Sequence, residues 1–171
     1  MNANKEKVVV VGAGLMGTGI AHAFASSGFN TLLVDTNAAS LTNARASIEK
    51  ILADGVRLGK VSEEKAQQSL ANLQTCGDLS EAASGANWLV ETVSEQLAVK
   101  KAVLAQAAPL LAPDAIIATN TSALSVTEIA ASVECADRVI GMHFFNPVHK
   151  MKLVELVRGL ATSDEVVTRT R

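Results

Sequence analysis

The sequence predicts an α/β fold, a doubly wound and mostly parallel sheet with helices on both faces. Three observations predict it. Val8–Val11 is an unbroken valine run that passes directly into glycines at 12, 14 and 17. A helical run, residues 15–27, follows at once. Short apolar runs then alternate with helical patterns almost to the end of the chain, as crossover units require.

A run of valines reads as a strand buried on both faces. The glycines have GxGxxG spacing, and each has a separate task. Gly12 permits the tight turn off the strand, Gly14 lets backbone approach a pyrophosphate, and Gly17 lets the helix lie close to the sheet. The helix start offers free N–H groups and the positive end of its dipole to phosphates. Gly12, Gly14, Leu15, Met16 and Gly17 are therefore the candidate dinucleotide loop of a Rossmann sheet. A second strand, 31–34, ends in Asp35, eighteen residues past Gly17. A carboxylate there takes the ribose hydroxyls of NAD, and with no Arg beside it NAD is favoured over NADP.

Leu41, Ala44, Ile48, Ile51 and Leu52 then form one helical face. Gly55 and Gly59 loosen its end, and Ser62 caps a second helix with Glu63 and Glu64 in its first turn. This inserted helical hairpin is longer than an ordinary crossover. It is either a long connection or an arm bordering a substrate site, with Lys50, Arg57 or Lys60 reaching a phosphate; Lys60 is the candidate substrate contact. Residues 73–76 read as a third strand, and Asp78 to Glu81 as a capping box. Residues 87–92 are the fourth strand, Ser94 caps a helix running to Leu111, and Pro113 closes it. Residues 115–118 are the fifth strand and Ser125 to Glu128 a second capping box. Residues 139–145 are the sixth strand. Asn146-Pro147 turns the chain into a last strand, 152–157, which adds an antiparallel edge to the expected order 3-2-1-4-5-6.

The 171 residues suit one domain, residues 1–171. Hydrophobic residues are 49% and charged residues 19%, as a sheet covered on both faces requires. A net charge of −2 and 3% aromatics argue against nucleic acid as a partner. No apolar stretch reaches the ~18 residues of a bilayer span. The polar start is no signal peptide, and Cys76 and Cys135 lack metal spacing, so reduced thiols and a cytoplasmic location are expected.

Ligands of such sheets bind beyond the carboxyl ends of the strands. Glu95, Asn120, Ser122 and His143 fall there. Imidazole titrates near neutrality, so His143 can take a hydroxyl proton while hydride leaves the same carbon. A hairpin at Asn146-Pro147 can place Glu155 against the second ring nitrogen, where it would fix the tautomer; the alternatives are a satisfied core histidine at 143 and an exposed strand charge at 155.

These residues resemble the N-terminal NAD-binding domain of 3-hydroxyacyl-CoA dehydrogenases. The likeness lies in GAGLMGTGIA at 12–21, ETVSE at 91–95, TNTSAL at 119–124 and above all GMHFFNPVHKMKLVE at 141–155. The resemblance implies that His143 is the catalytic base, Glu155 its orienting partner and Ser122 the donor to the substrate's 3-oxygen. It implies that Asp35, Glu95, Lys100 and Asn120 line the NAD site, that Asn146 lies near the nicotinamide, and that the helical arm meets coenzyme A. The implied reaction is NAD-dependent oxidation of a 3-hydroxyacyl-CoA, 3-hydroxybutyryl-CoA-like, in fatty-acid or butanoate metabolism.

Members of the family continue into a helical C-terminal domain that supplies a homodimer interface. The sequence stops at Arg171, where a helix begins at Ser163 to Glu165, so a piece of a longer enzyme is expected. His149-Lys150 departs from many single-function members and is similar to multifunctional fatty-acid-oxidation enzymes; His149 is expected to be a loop residue without a catalytic role. Two rival readings stand: a 3-hydroxy acid dehydrogenase that needs no coenzyme A, and an NAD-binding fragment without catalysis.

Overall fold

The computed structural model describes residues 5–171; the part of the polar-start reading that concerns residues 1–4 lies outside them. The strands are β1 (Lys7–Val11), β2 (Asn30–Val34), β3 (Leu73–Cys76), β4 (Trp88–Glu91), β5 (Ile116–Thr119), β6 (Val139–Phe144) and β7 (Val154–Arg158). They form a seven-stranded sheet in the order β3-β2-β1-β4-β5-β6-β7. Every pairing is parallel except β6 with β7. The expected doubly wound sheet and its antiparallel edge are both present.

Burial explains the central strand. Val8 and Val10 join one core cluster and Val9 and Val11 the other, because strand side chains alternate between faces. All four are buried, which is worth about 1.5–3 kcal/mol for each side chain. One face is covered by α1 (Leu15–Ser26) together with α2 (Ala38–Arg57) and α3 (Glu63–Ala71). The other is covered by α4 (Leu79–Ala83), α5 (Leu97–Ala107) and α6 (Val126–Ala130). A last helix, α7 (Asp164–Thr170), buries Val166 in the first cluster.

Local chemistry sets most helix starts. Asn37, Ser62, Asp78, Ser125 and Ser163 each accept a backbone N–H with the side chain, so three of the four expected caps are present. The expected cap at Ser94 is not. The helix begins at Leu97 after Gln96, without a side-chain cap, and ends at Ala107 in a short 3-10 turn, Ala108–Leu110. Residues 92–96 serve another purpose, described below. The β6–β7 register sets His143 opposite Glu155, and the sheet's shared direction brings Gly12, Asp35, Thr92, Asn120 and Phe144 to one edge.

Candidate active site at the carboxyl edge of the sheet

The glycine loop leaves β1 with Gly12 at φ +103°, a conformation L side chains rarely adopt. Gly12 N donates to Val34 O at 2.7 Å, which ties the turn to β2. Thr92 Oγ1 donates to Val11 O at 2.8 Å and ties it to β4. Asp35 accepts from Ala13 N and Asn37 N, both at 2.8 Å, so its carboxylate fixes the loop and the entry to α2.

The loop fits a dinucleotide. No side chain caps α1 at Gly14, so its first amides are left for an anion. Apart from Gly14 and its chain neighbours, no heavy atom of the described residues lies within 4 Å of where a Cβ on Gly14 would stand. A cavity of about 380 Å³ opens there, lined by Gly14 of the loop, Leu15 and Thr18 of α1, Asn43 and Ser47 of α2, and Asn146 beyond β6. Leu15 is 71% exposed at its rim; Met16 packs against the core beneath.

His143 and Glu155 converge. Nδ1 of His143 lies 2.9 Å from Glu155 Oε2. A cross-strand pair on one face explains the meeting across twelve residues. The His143 side chain is 21% exposed, and the Phe145 ring lies 4.5 Å away, centroid to centroid. With Nδ1–H donating to the carboxylate, Nε2 is the nitrogen left to accept a proton.

The loop after β5 reaches β6 through Asn120, whose Oδ1 accepts from Phe144 N at 3.0 Å. Ser122 is exposed, and its N–H donates to Glu95 Oε1 at 3.2 Å; Thr121 donates its hydroxyl to the same oxygen. These bonds, with Lys100 close by, hold the Glu95 carboxyl below its ordinary value against the opposing effect of desolvation.

Lys100 departs from the expectation that it lines the nucleotide site. Its side chain is 0% exposed, and its ammonium is engaged by Glu91, the Asn120 carbonyl and Glu95. It reaches the edge from beneath, through its partners. Lys60 lies exposed in the turn after α2, outside the cavity lining, and Arg57 pairs with Asp54 at 3.1 Å. The hairpin borders the cavity through Asn43 and Ser47 instead, a polar pair at i,i+4 that the apolar face of α2 masked.

His149 is a loop residue, as expected, yet it lines the same cavity. Its ring meets His22 of α1 edge-on, centroids 6.5 Å apart. His22 Nδ1 has no hydrogen-bond partner among the described residues. Burial, and then His149, hold His22 below its ordinary value of 6.5. A histidine lowered on folding gives stability that is present above pH 6.5 and lost as pH falls through the lower folded value. We expect the Tm to drop across that interval, and His22→Leu to flatten the drop in calorimetric scans.

A sheet with a dinucleotide loop at its switch point and a His–carboxylate pair at the same edge defines a nicotinamide-dinucleotide-binding domain of the dehydrogenase class. The model of the 3-hydroxyacyl-CoA dehydrogenase NAD-binding domain matches residues 7–171. The chain belongs to that family. The chain is 44% identical over 167 residues to 3-hydroxyadipyl-CoA dehydrogenase of Escherichia coli K12, covering 98% of this chain and 35% of that protein. It is 40% identical to 3-hydroxybutyryl-CoA dehydrogenase of Bradyrhizobium diazoefficiens, covering 96% and 56%. The crystal structure of 3-hydroxybutyryl-CoA dehydrogenase from Escherichia coli K12 superposes with a TM-score of 0.93 at 44% identity, over 97% of this chain and 35% of that one. The chain thus spans about a third to just over half the length of these relatives. Among the described residues, no helix is long and apolar enough to cross a membrane.

Proposed function

We propose that the protein containing this chain oxidises a 3-hydroxyacyl-CoA of the 3-hydroxybutyryl type to the 3-oxoacyl-CoA, reversibly, in fatty-acid or butanoate metabolism. The observation that carries the reading is the His143–Glu155 pair, 2.9 Å apart at the edge that also holds the dinucleotide loop. NAD, when bound, supplies the hydride acceptor. His143 takes the hydroxyl proton on Nε2. Glu155 fixes the ring and stabilises the imidazolium that forms. Ser122 donates to the oxygen as it becomes a carbonyl. Gly12, Gly14, Leu15, Met16 and Gly17 hold the pyrophosphate region, Asp35 the ribose, and Glu95, Asn120 and Asn146 the nicotinamide end; Lys100 acts from below. At its full natural length the protein works as a cytoplasmic homodimer.

The test pairs an NADH fluorescence titration with turnover of acetoacetyl-CoA and of free acetoacetate. We expect saturable NADH binding and oxidation of NADH by acetoacetyl-CoA with a kcat/KM at least about 100-fold above that for acetoacetate, since remote binding energy lowers the barrier. Equal use of both substrates transfers the reading to a 3-hydroxy acid dehydrogenase. NADH binding without turnover of either, at full length, leaves a binding domain and sinks the proposal.

A further inference from the structure

Beneath the loop that carries Ser122 lies a charged group that the proposed chemistry does not use. Glu91 ends β4 and is 0% exposed. Its carboxylate accepts from Val93 N at 2.7 Å, Thr119 Oγ1 at 2.6 Å, and Lys100 Nζ at 3.1 and 3.2 Å. Lys100, equally buried, donates onward to the Asn120 carbonyl at 2.9 Å and reaches Glu95 Oε2 at 3.3 Å. Glu95 in turn accepts from Ser122 N and from the Thr121 hydroxyl. A continuous charge-assisted chain therefore runs from Glu91 to both ends of the segment Asn120–Ser122.

We propose that Glu91 is a positioning residue for the reaction: it holds Lys100 in the one place from which its ammonium anchors the Asn120 carbonyl and the Glu95 carboxylate, and so sets where the Ser122 hydroxyl stands. The inference rests on the reading of Ser122 given above. The geometry supports it because all three ammonium protons have acceptors, and two of those acceptors belong to the site rather than to the core. Burial raises the Glu91 carboxyl above its ordinary value, against the pull of Lys100 and the Thr119 and Val93 hydrogen bonds. A pair of buried ions is weak evidence for stability, so a use beyond stability is the better account of its presence.

Glu91→Gln keeps the shape and removes the charge. At full length we expect kcat/KM for acetoacetyl-CoA to fall by about 10- to 100-fold through misplacement of the loop. By hydrogen exchange, the amides of Ser122 and Phe144 should lose about tenfold or more of their protection, while Val9 and Leu33 keep theirs. The double variant Glu91→Gln/Lys100→Met removes both buried charges and guards against a fold lost in the single one. Its Tm should recover relative to Lys100→Met, while kcat/KM and Ser122 protection stay low. Recovery of activity together with Tm, or Glu91→Gln with unchanged exchange at Ser122 and unchanged kcat/KM, overturns the proposal. Hydrogen exchange does not depend on the substrate. If the unaltered enzyme fails on acetoacetyl-CoA, the functional reading fails, and exchange at Ser122 still decides whether Glu91 holds the loop.

Discussion

His143→Gln is expected to lower turnover of acetoacetyl-CoA by about 10²- to 10⁴-fold, the range for loss of a general acid–base, with NADH affinity unchanged. The geometry argues for both halves. Glu155 Oε2 occupies Nδ1, which commits the proton-transfer task to Nε2. Glutamine keeps much of the volume and a polar tip, yet its amide neither takes up nor delivers a proton near neutral pH. The dinucleotide loop is held by Val34, Thr92 and Asp35, none of which touches the imidazole, so the nucleotide site has no reason to change. Glu155→Gln should lose less, about 10- to 100-fold, because the amide oxygen still accepts from Nδ1 while the charge facing the imidazolium is gone. Steady-state kinetics beside an NADH titration separate these effects. Near-normal turnover in His143→Gln rules out its role as base, and a parallel loss of NADH affinity moves it into the binding site.

What the sequence made legible was what neighbouring residues settle among themselves. The valine run and glycine spacing placed β1, the loop and α1, because a strand buried on both faces and a phosphate-ready helix start leave composition signatures. Ser62, Asp78 and Ser125 were readable as caps because the acceptor and its amide lie two or three residues apart. Ser94 does not cap the helix, for a physical reason. The segment after β4 is claimed by long-range partners, Glu95 by the loop after β5 and Lys100 by Glu91, so the helix starts only at Leu97. Glu91 left no local signal, since one acid at the end of an apolar strand reads as a strand end; its side-chain partners Lys100 and Thr119 lie nine and twenty-eight residues on. The His143–Glu155 meeting was legible because the Asn146-Pro147 turn limits the register. The meeting of His22 with His149 was not, because it depends on how the loop beyond β6 lies across α1. Val148 packs there over Gly19, where a Cβ would come within 2.8 Å of Cγ2.

Two glycines of one motif should fail in different ways, one through the fold and one at the nucleotide alone, and the contrast tests the nucleotide site without any assay of catalysis. A Cβ on Gly17 would stand 1.7 Å from the Gly12 carbonyl oxygen and 2.6 Å from Thr92 Oγ1. Both are held by hydrogen bonds, so α1 must lift from the sheet, drawing Ile20 and Ala21 out of the core. Gly17→Ala is therefore expected to cost about 1–3 kcal/mol or more through overpacking. That corresponds to a fall in Tm of about 2–12 °C for a domain of this size, and loss of NADH binding follows as the loop deforms. Beyond its chain neighbours, a methyl on Gly14 meets no heavy atom of the described residues within 4 Å, so Gly14→Ala should unfold at the same temperature as the parent. It should nonetheless weaken NADH at least about tenfold, or 1.4 kcal/mol, because the methyl projects where backbone has to approach the pyrophosphate. Calorimetry and fluorescence titration on the same two variants decide the matter. Parent-like NADH affinity in Gly14→Ala places the phosphates elsewhere, whereas a parent-like Tm in Gly17→Ala means that α1 can leave β1 at little cost and that the close helix–sheet approach does not set the loop.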